Sequence, residues 1–348
     1  MAPDAPSLAS LAKAAGVAPS TVSRALANSA RIPVSTRIRI QQLAKEMNYR
    51  PNPFGSAMAA RLRLSRSSRS HATLACIHTG DPSDKDWYAN PFYRRYLQGV
   101  ESQAKTLGYD LQSFYLRGKD MNALRLSSIL HARGINGVVI PTIPNPEENL
   151  ELEWDHFASA TIGFQFKHPM LHSAMNRHDH TISLVLREMT RLGYQRIGLM
   201  ILRLSELLAE RAFTAAYLLH QSEQSRNHRI PILVTGLGDE GHQYSQFKAW
   251  VESAHPDAVI SLGMGPHILR WLAEMNLNVP GDIGVADMDV HPPTTLAGVD
   301  QLHEMVGAAA VDLVLGQIHR NESGVPEHPK TVMLEGVWRG GETVRSLS

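Results

Sequence analysis

Residues 7–53 run SLASLAKAAGVAPSTVSRALANSARIPVSTRIRIQQLAKEMNYRPNP, and this stretch decides how the chain begins to fold. Ser7 precedes the first apolar-periodic segment and suits an N-cap. Leu8, Leu11, Ala12 and Ala15 then share one helical face. Gly16 stops that helix and permits a tight turn. Pro19 opens a second helix in its first turn, where a missing N–H costs nothing, and Val22, Ala25 and Leu26 form its expected inner face. Ser35 is the expected cap of a third helix running to about Asn48, with Ile38, Leu43, Ala44 and Met47 turned inward. Three short helices with a glycine turn between the first two describe a helix-turn-helix. A small residue (Ala12), a turn glycine (Gly16) and a β-branched filler (Val22) stand where two crossing helices need them. In such a motif the second helix enters the major groove, which makes Pro19, Ser20, Thr21, Ser23, Arg24 and Asn28 the candidate readers. Arg24 is long enough to bond guanine with two donors, while Ser20 and Thr21 reach bases or phosphates.

The charge distribution points the same way. Residues 1–70 carry eleven Lys or Arg against two acids, a surplus of +9, and the remainder carries −8, although the 348-residue chain totals only +1. A basic head on an acidic body implies a polyanionic partner for the head alone. Arg31, Arg37, Arg39 and Lys45 suit phosphate contacts. A single cysteine, Cys76, excludes an intrachain disulfide and lies in an apolar run, as a small core residue does. The opening MAPDAPSLAS lacks the pattern of a signal peptide, and no run of about 18 apolar residues suggests a membrane span, so a cytoplasmic protein without a membrane partner is expected.

The head resembles the DNA-binding domain of the lac repressor (LacI/GalR) family. Leu11-Ala-Lys-Ala-Ala-Gly-Val17, Ser20-Thr-Val-Ser-Arg-Ala-Leu26 and Asn48-Tyr-Arg-Pro-Asn-Pro53 carry the likeness. It implies double-stranded operator DNA as partner, a homodimer, and DNA contacts that include Ser7, Arg31, Tyr49 and Asn52 beside the second helix. It also implies a hinge helix after the Pro-Asn pair, folding on the operator and wedging an apolar side chain into a minor-groove step. Met58 stands at the wedge position of Pro53-Phe-Gly-Ser-Ala-Met-Ala-Ala-Arg61. The expected organisation is 1–50 helix-turn-helix, 51–63 hinge helix, 64–72 linker and 73–348 body.

In the body, strand-like runs (73–78, 137–140, 160–164, 196–201, 230–234, 258–262, 283–286) alternate with helical stretches (92–107, 181–192, 208–220, 243–253, 266–275). This βαβ alternation predicts parallel, doubly wound α/β sheets, and the number of units predicts two lobes with a ligand between them at the strand C-termini. Asn90-Pro-Phe-Tyr93, Gly134-Ile-Asn-Gly-Val-Val-Ile-Pro141, Leu192-Gly-Tyr-Gln-Arg-Ile-Gly198 and Val279-Pro-Gly-Asp-Ile-Gly-Val285 resemble the same family's sensor body, which is similar to periplasmic sugar-binding proteins. The resemblance implies a small-molecule effector, a sugar or related metabolite. Three polar positions depart from the family pattern: Arg203–Arg211 places no arginine in register, Leu262-Gly263 replaces Asn-Asp, and Asp287-Met-Asp-Val290 replaces Gly-Phe-Asp-Asp.

Trp87, Tyr88 and Phe92, with Tyr93, follow the first strand and could stack on a ring; Asp179 and Asp289 could accept hydroxyl hydrogen bonds. His168, His172, His178 and His180 cluster in sequence without the spacing of a compact metal site, so neither metal nor cofactor is expected. No paired catalytic carboxylates, Gly-x-Ser-x-Gly or phosphate loop suggests an enzyme. Besides an effector-controlled regulator, the sequence admits a solute-binding module with a non-specific basic anchor, and a regulator that needs no effector.

Overall fold

Head residues pack first around alanines, because small side chains let short helices approach closely. A computed structural model of the chain describes residues 8–26, 32–47, 49, 72–117, 121–141, 149–163, 168–236 and 238–345. Ser7, Asn28, Arg31, Asn52, Met58 and the hinge and linker segments lie outside the described residues. Helix α1 (Leu8–Ala15) ends at Gly16, whose φ of +65° is left-handed, and the turn is closed by Val17 N–H donating to the Ala12 carbonyl at 3.1 Å. Helix α2 (Pro19–Leu26) follows, then α3 (Val34–Glu46). Leu11, Ala12, Ala15, Val22, Ala25, Ile32, Ile40 and Ala44 form the head core.

Two expectations for α3 are corrected. The helix begins at Val34 with Pro33 at the cap position, so Ser35 is already inside it. Ile38 is 58% exposed, and Ile40 is buried in its place. The two are about 200° apart around a helix, so only one can face α1 and α2.

The body holds two six-stranded sheets. The first lobe runs in the order β11-β5-β4-β3-β1-β2, all parallel: β1 (Ala72–His78), β2 (Tyr109–Tyr115), β3 (Gly137–Ile140), β4 (Ala158–Ile162), β5 (His172–Asn176) and β11 (Thr331–Leu334). The second runs β12-β10-β9-β8-β6-β7: β6 (Ile197–Leu202), β7 (Leu233–Thr235), β8 (Ala258–Ser261), β9 (Gly284–Asp287), β10 (Ala297–Asp300) and β12 (Val337–Arg339). Only β12 in that sheet is antiparallel to its neighbour. Central strands such as β3, β4 and β8 are wholly buried, which is why they read as continuous apolar runs.

Helices cover both faces: α4 (Lys85–Ala89), α5 (Pro91–Thr106) and α6 (Ala123–Ala132) in the first lobe, and α7 (His178–Arg191), α8 (Arg203–Leu208), α9 (Ala212–Glu223), α10 (Glu240–Ala254) and α11 (Gly265–Glu274) in the second. The long α12 (His303–Arg320) returns to the first lobe and packs on α5, β4 and β5. The chain therefore passes between lobes at 176–178, 300–303 and 334–337.

The expected helix over 208–220 is broken, because Glu210 and Arg211 take φ of +50° and +63° between α8 and α9. The strand expected over 230–234 shrinks to β7, since Pro231 has no N–H for a ladder.

Candidate nucleic-acid interface and lobe junction

Helix α2 is held by its inner residues and presents the rest outward. Val22 and Ala25 are fully buried, which leaves Pro19, Ser20, Ser23 and Arg24 exposed and Thr21 half-buried. The Gln41 amide of α3 donates to the Ala25 carbonyl at 3.3 Å and ties α3 to the end of α2. A protruding helix with one arginine, two serines and a threonine fits a major groove. Tyr49, expected among the DNA contacts, is half-buried and packs against the head core, and its N–H donates to the Ala44 carbonyl at 2.8 Å.

At the C-terminal end of β1, side chains from three elements converge on His78. Its ring stacks on Tyr115 with centroids 4.6 Å apart and meets Tyr88 edge-on at 5.9 Å, while Nδ1 and the Tyr93 hydroxyl share a hydrogen bond of 2.6 Å. Burial pushes the His78 imidazole down to about 4 and the Tyr88 hydroxyl up to about 12. His78 Nε2, Thr79 Oγ1 and the Tyr88 hydroxyl are buried without a hydrogen-bond partner among the described residues. Each such atom forfeits about 1–3 kcal/mol of hydration. Tyr88 was foreseen as a ligand residue; the Trp87 side chain lies outside what the structure describes.

Across the junction, Asp287 at the end of β9 gathers one loop. It accepts from Ser261 Oγ at 2.6 Å, from the Gly263 and Gly265 N–H groups at 2.7 Å, and from the Asp289 N–H at 2.9 Å. Burial raises this carboxyl to about 6 against the pull of those donors. The arrangement aims Asp289 at the first lobe. Asp289 Oδ1 lies 2.7 Å from His303 Nε2, at the start of α12, and Oδ2 lies 3.7 Å from His291 Nε2. Tyr96 packs edge-on against His303 at 4.6 Å and Phe92 lies at 6.3 Å.

Arg95 of α5 closes the same junction. It donates to Asp300 at 2.9 Å and to both Glu304 oxygens at 2.6 and 2.7 Å, and its Nη1 is 3.2 Å from His291 Nδ1. Burial disfavours its charge, but the two carboxylates outweigh that and hold the guanidinium above its ordinary range. Tyr96 donates to Asn176, whose amide in turn donates to the Gln301 carbonyl at 2.6 Å, so two of the interlobe crossings are bonded together.

The expected ligand residues thus part company. Phe92 and Asp289 meet at His303, whereas Asp179 is exposed in the first turn of α7 and pairs with Arg177 at 3.4 Å. The reason is that α7 begins at His178, which turns His178 inward against Phe213 and Asp179 outward. Three of the four histidines clustered in sequence also separate: His172 accepts from Lys330 N–H, His180 lies 3.6 Å from Glu335, and His178 is inward. His291 and His303 went unnoticed, because an isolated histidine carries no periodic signal. Arg203 and Arg211 are both exposed, while Glu206 between them is buried and bonds Thr214. Cys76 is fully buried, and burial pushes its thiol up, as in a core residue.

Residues 7–52 match the model described as bacterial regulatory proteins, lacI family, and residues 186–341 match the periplasmic binding protein-like domain. The chain is 25% identical over 325 residues to the HTH-type transcriptional regulator MalR of Streptococcus pneumoniae, covering 90% of this chain and 93% of that protein. It is 22% identical to the HTH-type transcriptional regulator KdgR of Bacillus subtilis, covering 93% and 94%. Among solved structures it is similar to the lac repressor dimer bound to operator and the anti-inducer ONPF, with TM-score 0.57, 19% identity and coverage of 98% and 99%. The transcriptional regulator CelR–cellobiose complex gives 0.56 at 18%, covering 97% and 99%. Among the described residues, no helix is long and apolar enough to cross a membrane.

Proposed function

The chain belongs to the lacI family of bacterial regulatory proteins, and from that premise we propose that it is a repressor that grips a pseudopalindromic operator as a homodimer. One observation carries the reading: α2 is anchored by Val22 and Ala25 and offers Ser20, Ser23 and Arg24 outward. The surplus of +9 in residues 1–70 supplies the phosphate attraction that dominates affinity and weakens as salt rises. Arg24 reads a base, and Met58 wedges the minor groove from the hinge segment.

The grip answers to a small molecule held between the lobes, a sugar or related metabolite. The three unsatisfied polar atoms around His78 support this, since a ligand bearing hydroxyls would restore their hydrogen bonds. A cellobiose complex of a structural relative supports a sugar as the first class to try.

Operator sites selected from random duplexes provide the test. Arg24→Ala should weaken the selected site by about 1–3 kcal/mol and relax one base preference. Met58→Gly should leave that preference in place and reduce operator bending in gel mobility. A wild-type protein that selects no sequence is instead a solute-binding module with a basic anchor. A thermal-shift screen with sugars, sugar acids and nucleosides tests the effector; silence across it favours a regulator that needs none.

A further inference from the structure

Asp289, His291 and His303 bring one carboxylate oxygen and two imidazole nitrogens within 4.8 Å of one another at the lobe junction. We propose that these three residues bind a divalent transition-metal ion of the zinc class, and that the ion ties the two lobes together. The inference rests on the reading of this junction as the signalling cleft.

The donor set is the first argument. Two imidazoles and one carboxylate suit zinc, cobalt or nickel, whereas calcium and magnesium take oxygen shells. Distances are the second. Ligand atoms about 2.0–2.1 Å from a tetrahedral ion stand roughly 3.3 Å from each other. His303 Nε2 lies 2.7 Å from Asp289 Oδ1, His291 Nε2 lies 3.7 Å from Asp289 Oδ2, and all three ligand atoms stand within 4.8 Å of one another, so adjustments of up to about an ångström close the set.

Burial and charge add two independent points. His303 is 3% exposed, and its Nδ1 has no hydrogen-bond partner among the described residues. Around the set, Arg95 and Arg339 pair with Asp300 and Glu304, while Asp289 and the buried Asp287 beside it add further negative charge, a surplus that favours a cation. Binding also opens one contact. With Nε2 on metal, His291 Nδ1 carries a proton, so the imidazole must draw away from Arg95 Nη1, whose guanidinium stays held by Asp300 and Glu304.

Asp289 and His291 belong to the loop after β9 of the second lobe, and His303 begins α12 of the first. An ion here therefore favours the closed junction over an open one, which is what a signal must do. The fourth coordination position remains for water or an oxygen of a second ligand.

Full-length protein freed of metal by chelation is titrated with Co²⁺, followed by its visible absorption, and with Zn²⁺ by calorimetry. The expected result is one ion per chain, with affinity at least about tenfold weaker in His291→Ala and in Asp289→Asn and unchanged in His168→Ala. His291 is half-buried, so its variant keeps the fold, which circular dichroism and the melting temperature without metal verify. No stoichiometric binding, or binding that survives both His291→Ala and Asp289→Asn, overturns the site. Operator titration in the presence of EDTA separates this from the regulator reading: sequence-selective DNA binding without a metal site removes the ion alone.

Discussion

His78 is kept neutral by its neighbours, and that has a pH consequence. Tyr88, Tyr93 and Tyr115 surround the ring, and burial lowers it to about 4 from an ordinary value near 6.5. Between those values the unfolded chain takes up a proton that the folded chain refuses. Stability is therefore full above pH 6.5 and falls as pH drops towards 4, by up to about 3 kcal/mol from this ring. His178, lowered to about 4 mainly by burial, adds to the same slope. Urea midpoints at pH 7 and pH 5 check this: His78→Gln should remove about 2 kcal/mol of the fall. An identical slope in the variant would mean that the folded state accepts the proton at His78. At this scale the sequence was partly informative. Phe92 and Asp289 could be named because each follows a strand or opens a helix at the expected cleft. His303 could not, since it reaches Asp289 only through a crossing between lobes and the left-handed turn at Leu302.

Helices α5 and α12 meet backbone to backbone, and two glycines permit it. A Cβ at Gly99 would run into the Glu304 carbonyl, and one at Gly307 into the Tyr96 carbonyl. Both obstacles are main chain and cannot rotate aside. Gly99→Ala or Gly307→Ala should therefore cost about 1–3 kcal/mol or more, read as a lower urea midpoint with an unchanged slope. A midpoint equal to the parent's would mean that the helices separate at no cost. The same close approach holds Arg95 and Glu304 within bonding distance, so the loss should extend to the junction. Element by element, legibility followed burial. The buried strands β3 and β8 and the amphipathic helix α5 declare themselves by apolar pattern. Edge strand β11 does not: its residues are exposed or half-buried, and it pairs with β5, a strand far away in sequence. Strand β2 likewise lies at a sheet edge, buried only at Phe114. A strand held by neighbours distant in sequence leaves little local mark.

Only three chain crossings join the lobes, so in the proposed lobe closure side-chain bonds across the junction would set the balance between closed and open. Arg95 is the central one. It stands on α5 of the first lobe and grips Asp300 and His291 of the second, while Glu304 holds it from behind. Arg95→Gln removes the charge that Asp300, only 5% exposed at its side chain, depends on. Arg339 at 3.5 Å and the Leu302 N–H remain as partial compensation. The net loss should be about 2 kcal/mol. Since a tenfold change corresponds to about 1.4 kcal/mol, the open-to-closed ratio should rise about 30-fold. A larger radius of gyration in small-angle scattering is the direct readout. In the proposed homodimer, operator affinity should change as well, although no residue of the head has been touched, because there the bodies would space the two heads. The direction of that change tells whether the closed or the open body presents the heads for binding. Scattering and operator affinity both equal to the parent's would show that Arg95 contributes packing alone and that the lobe balance is set at the other crossings, by the Tyr96–Asn176–Gln301 chain or the Arg177–Glu335 pair.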